Sequence, residues 1–298
     1  MDELYLEVPN VPYRFDLLLA IARRNAHPAR MIVQGYRLWR FIAGKLVCLC
    51  QDGDVIVMRG TGLRNSDCAR LLVSSRRVLG LDIDPGDYHA AARRDRRLWQ
   101  QLEPVLGLPL SCTETVFEAL ITLIIEQHIT WKNALRSQQI LMQILDSGVM
   151  TGGHVVHDFP APELLAALEA QQLKPLKITN GRIDLILRIA RDVRDGRLDL
   201  EGLRHLEPSK AYGRLMSIKG VGHWTAANAL GRAFGVYPYL SHNDVALQSA
   251  VNHYCCQGVG EKSAQQVVET LKAYGDYAGL VGHFLLSRWV LDKYPVAH

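Results

Sequence analysis

Phe117, Leu120, Ile121, Ile124, Ile125 and His128 fall at i, i+3, i+4, i+7, i+8 and i+11, a single helical face. Ser111-x-x-Glu114, just ahead of it, has the form of a capping box. The helical period recurs over residues 131–145, 162–172, 182–195, 209–217, 224–234, 244–254, 262–273 and 277–290, and strand signals nearly vanish beyond Pro85. Ser147-Gly148 and Gly152-Gly153 serve as breakers after the second helix. The first eighty residues differ. Residues 13–25 carry a helical stripe of Phe15, Leu18, Leu19, Ile21 and Ala22. Short strand-like runs follow at 31–33, 36–42, 46–50 and 55–58, divided by Gly44 and by Asp52-Gly53, a hairpin signal. The pattern predicts an α+β chain. A small N-terminal lobe of antiparallel sheet and helices, residues 1–84, precedes an all-α helical bundle, residues 85–298. No internal repeat or low-complexity segment interrupts it.

Composition narrows the class only modestly. A chain of 298 residues with 48% hydrophobic and 21% charged residues can bury a sizeable core. A net charge of +4 permits a nucleic-acid partner without requiring one. No apolar run approaches the length of a membrane span, and Met1-Asp2-Glu3 starts no secretory signal. The six cysteines include no CxxC pair, and nothing resembles a four-cysteine iron–sulfur loop. A reduced, metal-free, cytoplasmic protein is expected. Arg93, Arg94, Arg96 and Arg97 have the spacing of a solvated helix face.

The most informative stretch is Ser217-Ile218-Lys219-Gly220-Val221-Gly222-His223-Trp224-Thr225-Ala226. Gly-x-Gly makes a tight turn, and the alanine-rich segment after it reads as a helix. Glycine accepts positive φ and allows close backbone approach. The turn amides and those of the first helical residues then face outward, an arrangement suited to a phosphate. Asp244 stands twenty-four residues after Gly220, within Ser241-x-x-Asp244 at the head of the next helix. By itself such a carboxylate is most often a cap, since the helix N-terminus favours it.

Turn, Trp224 and Asp244 together resemble the helix-hairpin-helix base-excision DNA glycosylases, and above all their AlkA-type alkylpurine branch. Further similarities are Pro12-Tyr13-Arg14-Phe15-Asp16, Leu79-Gly80-Leu81-Asp82-Ile83-Asp84-Pro85, Glu126-Gln127-His128-Ile129-Thr130 and Tyr274-Gly275-Asp276-Tyr277-Ala278-Gly279. The resemblance implies that Asp244 is catalytic, stabilising positive charge on the deoxyribose and orienting a water. It implies DNA contacts from Gly220, Val221, Gly222, His223 and Thr225 and from Gln127 and His128, His128 plugging the gap left by the extruded base. Trp224 and His283 would line the base pocket. Backbone carbonyls of Met216, Ile218 and Val221 would hold a monovalent cation, with no other cofactor. Trp224 occupies the position where bifunctional members carry a Schiff-base lysine, so no lyase step is expected there. Two departures are Lys219, where relatives commonly have proline, and Glu126, where they frequently have glycine.

The implied protein is a monomeric, monofunctional glycosylase of base-excision repair acting on double-stranded DNA with a damaged base, an alkylated purine. Three other readings stay open at this point: an 8-oxoguanine or other oxidised-base glycosylase, a non-catalytic helix-hairpin-helix DNA-binding protein, and a helical nucleotide-binding enzyme with an accidental Gly-x-Gly. The absence of a lysine at Trp224 leans against the first, and Asp244 is the feature that discriminates the second. The third would not bind duplex DNA.

Overall fold

The computed structural model describes residues 2–9, 11–25, 30–61, 63, 65–145 and 148–293. Five strands, β1 (Asp2–Glu7), β2 (Met31–Gln34), β3 (Arg37–Ile42), β4 (Lys45–Asp52) and β5 (Val55–Gly60), form an antiparallel sheet in the order β1-β5-β4-β3-β2. Two helices, α1 (Phe15–Asn25) and α2 (Asn65–Leu79), complete this part. Leu6, Leu38, Ile42, Val47, Leu49, Ile56 and Met58 of the sheet share a core with Phe15, Leu18 and Leu19 of α1 and with Leu71, Val78 and Leu79 of α2. β1 has no counterpart in the strand runs expected from sequence. It is fixed by its partner, with Leu4 opposite Met58 and Leu6 opposite Ile56.

The remainder runs α3 (Gly86–Arg93), α4 (Arg96–Leu102), α5 (Val116–Glu126), α6 (Trp131–Ile144), β6 (Gly148–Thr151), β7 (His154–His157), α7 (Pro162–Ala166), α8 (Asn180–Arg194), α9 (Pro208–Met216), α10 (His223–Ala229), α11 (Val245–Cys255), α12 (Ala264–Leu271) and α13 (Ala278–Lys293). Two differences from the sequence pattern stand out. Residues 148–157 are a hairpin, not the breaker-filled link of an all-α region, and they pack on β2 and β3. Gly152-Gly153 between Val149 and Val155-Val156 is a tight hairpin turn, both glycines at positive φ. Ser147 lies outside the described residues. The cap of α5 is Thr115, whose hydroxyl accepts the Glu118 amide at 2.9 Å, and not Ser111. Glu114 is thereby free to accept the Ala43 amide at 2.9 and 3.0 Å, which ties the bundle to the sheet. Arg30 and the buried Glu118 form a second tie across the same seam.

The helical region holds two hydrophobic cores. One joins α5, α8, α9, α10 and the turn after α10 through Leu120, Ile124, Ile186, Leu215, Ala226 and Leu230. The other joins α3, α4, α11, α12 and α13 through Tyr88, Leu98, Val251, Leu271, Phe284 and Leu285, with Leu17 of α1 added. Phe284 is 2% exposed and its ring stacks on Tyr88 with centroids 5.1 Å apart, a core role. The N-terminus of α13 packs so closely that a β-carbon on Gly279 would lie 2.2 Å from the Tyr237 carbonyl oxygen, so the Tyr-Ala-Gly sequence there has a steric reason.

Candidate active site

The segment between the two cores, residues 235–244, carries Asp244, and hydrogen bonds fix it from both sides. Asp244 caps α11, its Oδ1 accepting the amides of Ala246 at 2.9 Å and Leu247 at 3.0 Å. Its Oδ2 accepts the Trp224 indole N–H at 3.0 Å. The α11 cap and the bond to Trp224 thus coexist in one carboxylate, which keeps an Oδ2 lone pair for a further partner. Trp224 is partly buried against the first core, so its ring both edges the cleft and orients Asp244.

The hairpin turn joins α9 to α10. Gly220 has φ +97°, and a β-carbon there would meet the Leu185 side chain at 2.9 Å. Gly222 differs from expectation: its φ is −98° and a β-carbon there would have no atom within 4 Å, so nothing in the turn itself demands glycine. Gly222 caps α10 without a side-chain hydrogen bond. First-turn amides of a helix lack intrahelical acceptors, so those of His223, Trp224 and Thr225 remain for an outside anion.

The side chains here are turned inward. Val221 is buried, and the Thr225 hydroxyl, 2% exposed, accepts the Gln127 amide N–H at 2.9 Å. His223 Nδ1 lies 2.8 Å from the Tyr212 hydroxyl and Nε2 lies 3.0 Å from the Leu240 carbonyl. A carbonyl only accepts, so Nε2 carries the proton and, in the neutral ring, Nδ1 accepts from Tyr212. With these side chains committed, His223 and Thr225 keep their backbone amides for an outside anion, whereas the Val221 amide is already taken. Arg188 donates to the Lys219 carbonyl, and the Ile218 carbonyl accepts the Val221 amide at 2.9 Å. Each carbonyl keeps a second lone pair, so Met216, Ile218 and Val221 have the donor chemistry a monovalent cation needs. Among the described residues no group of three or more His, Cys, Asp or Glu side chains is placed to hold a metal ion.

α5 ends at Glu126 and the chain turns through Gln127 into His128. His128 is exposed with φ +53°, an uncommon conformation for a side chain bearing a β-carbon. Arg182 of α8 donates to the Gln127 carbonyl at 2.5 Å and the Ile125 carbonyl at 3.3 Å, capping α5 and holding the junction. Gln127 reaches Thr225 and so ties the junction to α10. His283 sits on α13, partly buried, its ring centroid 4.4 Å from that of Tyr237. Burial pulls its pKa down to about 4, which leaves a neutral imidazole near neutral pH.

Sequence reasoning missed Arg232. Residues 230–234 extend α10 as a π-helical turn, a feature frequent at functional sites. Arg232 lies eight residues after Trp224, with Asn228, bonded to Ser241 at 3.0 Å, between them. Its Nη1 and Nη2 bind Glu126 Oε1 and Oε2 at 2.7 and 2.8 Å. Burial opposes the Arg232 charge, but Glu126 more than offsets this and holds its pKa above the usual value; Tyr237 and Asp244 act in the same direction. The signal in the sequence was the i, i+4, i+8 series from Trp224.

The chain is 24% identical over 250 residues to the Bacillus subtilis protein named "Putative DNA-3-methyladenine glycosylase YfjP", a match spanning 77% of this chain and 83% of that one. Its structure superposes on the 3-methyladenine DNA-glycosylase of Archaeoglobus fulgidus with a TM-score of 0.81 at 21% identity, covering 99% of this chain and 100% of the other. The chain has the helix-hairpin-helix DNA glycosylase fold. A glycosylase/lyase of the same fold, the Clostridium acetobutylicum 8-oxoguanine enzyme solved with double-stranded DNA, gives a TM-score of 0.73 at 16% identity over 95% of this chain and 94% of its own. No family model matches the chain. No helix among the described residues is long and apolar enough to cross a membrane.

Proposed function

We propose that this chain is a monofunctional DNA glycosylase of base-excision repair that hydrolyses the N-glycosidic bond of an alkylated purine flipped out of double-stranded DNA. The observation that carries the reading is the Asp244 carboxylate, fixed by the α11 amides and by Trp224 at the edge of the cleft, on the segment that follows the hairpin. The outward amides of His223, Trp224 and Thr225 hold a backbone phosphate, which sets register without reading sequence. A monovalent cation on the Met216, Ile218 and Val221 carbonyls would add positive charge beside that phosphate. His128 fills the stack vacated by the target nucleotide, offsetting part of the few kcal/mol that extrusion costs.

In the reaction the C1′–N bond breaks and its electron pair leaves with the base. Positive charge grows on the sugar, and the Asp244 carboxylate stabilises it. Water adds its oxygen to C1′ and gives up a proton. A base alkylated on a ring nitrogen is already cationic and leaves as a neutral molecule, so it needs little help from an acid. Trp224 has no amine, and its N–H is committed to Asp244, so the sugar is released by water and not by a Schiff base.

The test is single-turnover base release from duplexes that each carry one defined lesion. Release of 3-methyladenine or 7-methylguanine without strand nicking, and without borohydride trapping, is expected. Duplex binding with no release of any base would assign the chain to the non-catalytic readings; a trapped covalent adduct would show that some amine, Lys219 included, does the chemistry.

A further inference from the structure

We propose that Glu126 and Arg232 form a charge-compensated wall of the base cleft that admits a positively charged base, making the pair a specificity determinant. The inference rests on the glycosylase reading of that cleft. Arg232 is on the helix face that also presents Trp224 and Asn228, and the neighbouring Gly231 carries the Tyr237 ring, 2.5 Å from where a β-carbon would stand. Tyr237 in turn lies against His283, the two rings tilted by 32° with centroids 4.4 Å apart. Arg232 therefore lies between the junction that ends at His128 and the segment that holds Asp244, close enough to feel the Asp244 charge, and 29% of its side chain is exposed.

A lone guanidinium at this place would repel a base quaternised at a ring nitrogen. The geometry removes that repulsion. Glu126 is 8% exposed and grips both terminal nitrogens of Arg232, while Gln138 donates to the same carboxylate at 2.9 Å and Thr122 accepts from Arg232 at 3.1 Å. The pair nets to zero charge, the neighbouring Arg30 is itself paired with Glu118, His283 is neutral, and Asp244 is left without an ion-pair partner among the described residues. With the guanidinium compensated, a cation there meets the negative charge of Asp244 without an opposing charge from the pair. A plain structural role for the pair is the alternative: a buried ion pair broken on one side costs stability whatever the substrate. The two differ in what they do to substrate choice.

The experiment compares single-turnover release of cationic 7-methylguanine and of neutral hypoxanthine from otherwise identical duplexes. It uses the full chain, Glu126→Gln, Glu126→Asp and the double variant Glu126→Gln/Arg232→Gln, with melting temperatures recorded for each. Glu126→Gln leaves the guanidinium uncompensated, and the ratio of cationic to neutral release should fall on the order of tenfold, the effect of one unit charge at about 10 Å and an effective dielectric constant of about 20. Glu126→Asp keeps the charge and should keep the ratio. The double variant removes both charges and should restore the ratio to within about threefold of the parent. An unchanged ratio in Glu126→Gln, or a double variant that stays as skewed as the single, overturns the proposal even where overall rates drop. Should Glu126→Gln fail to fold, the double variant and Glu126→Asp decide: a tenfold skew in either overturns it. Release of neither base by the parent chain overturns the glycosylase reading and this inference with it.

Discussion

The two halves of the helical region face each other across the cleft and are built by opposite means. The hairpin half, with α5, α8 and α10, meets the cleft with charge and hydrogen bonds: Glu126 on Arg232, Gln127 on Thr225, Arg182 on the α5 terminus. The C-terminal half, with α11 and α13, meets it with rings and a neutral histidine, and the Tyr237 and His283 rings lie against each other there at a tilt of 32°. Asp244 belongs to the second half by chain and is tied to the first by Trp224. The contrast teaches where each task resides. On the proposed reading, groups that handle phosphate and charge are supported by a hydrogen-bonded frame, and groups that hold a base rest on packing.

The largest expected effect breaks the tie between the halves. Asp244→Asn should keep the α11 cap, because Asn caps as well as Asp, while base release falls about a thousandfold, roughly 4 kcal/mol of transition-state stabilisation. Single-turnover rates beside duplex-binding titrations check it; a loss of only two- or threefold would remove Asp244 from the chemistry.

Acid should single out the C-terminal half. The folded pKa of His283 lies near 4, below the unfolded value of about 6.5, so the unfolded chain binds the extra proton first. This contribution to stability is present above about pH 6.5 and is lost as the pH falls toward 4. Since the ring is partly exposed, about 2 kcal/mol is a reasonable size, less than the full shift would give. Denaturant titrations at pH 7 and pH 4.5 should show His283→Gln flattening the difference.

The hairpin half is probed by its two glycines, which should behave unequally. Gly220→Ala puts a β-carbon at positive φ and against Leu185, costing about 1–2 kcal/mol of strain and weakening all duplexes alike by about tenfold. Gly222→Ala, in open space at φ −98°, should change affinity less than about twofold. Equal effects would mean that DNA, not the turn, crowds Gly222.

The smallest effect is at the junction. His128→Gly relieves a positive-φ residue and should raise stability by up to about 1 kcal/mol. The same change removes the wedge, and base release should fall most for lesions that remain well paired. Fluorescence of a base analogue beside the lesion reports extrusion; normal extrusion would return His128 to a merely exposed histidine.

Much of this was open to a reader of the chain, and the reason is locality. Helix positions follow from a period that each segment carries within itself, and the glycine turn before Trp224 states its own geometry through Gly220. Asp244 declared itself by distance from that turn. What failed in the sequence failed where a partner decides. β1 is a strand because β5 lies beside it, and residues 148–157 form a hairpin because β2 and β3 offer a surface. The α5 cap moved from Ser111 to Thr115 because Glu114 is drawn to Ala43 on the sheet. Most of all, the sequence presents Glu126 and Arg232 as two charges more than a hundred residues apart. Only the packing of α5 against α10 and its π-helical extension brings their atoms to 2.7 Å and sets the charge of the cleft, because an ion pair depends on distance in space and a sequence records only distance along the chain.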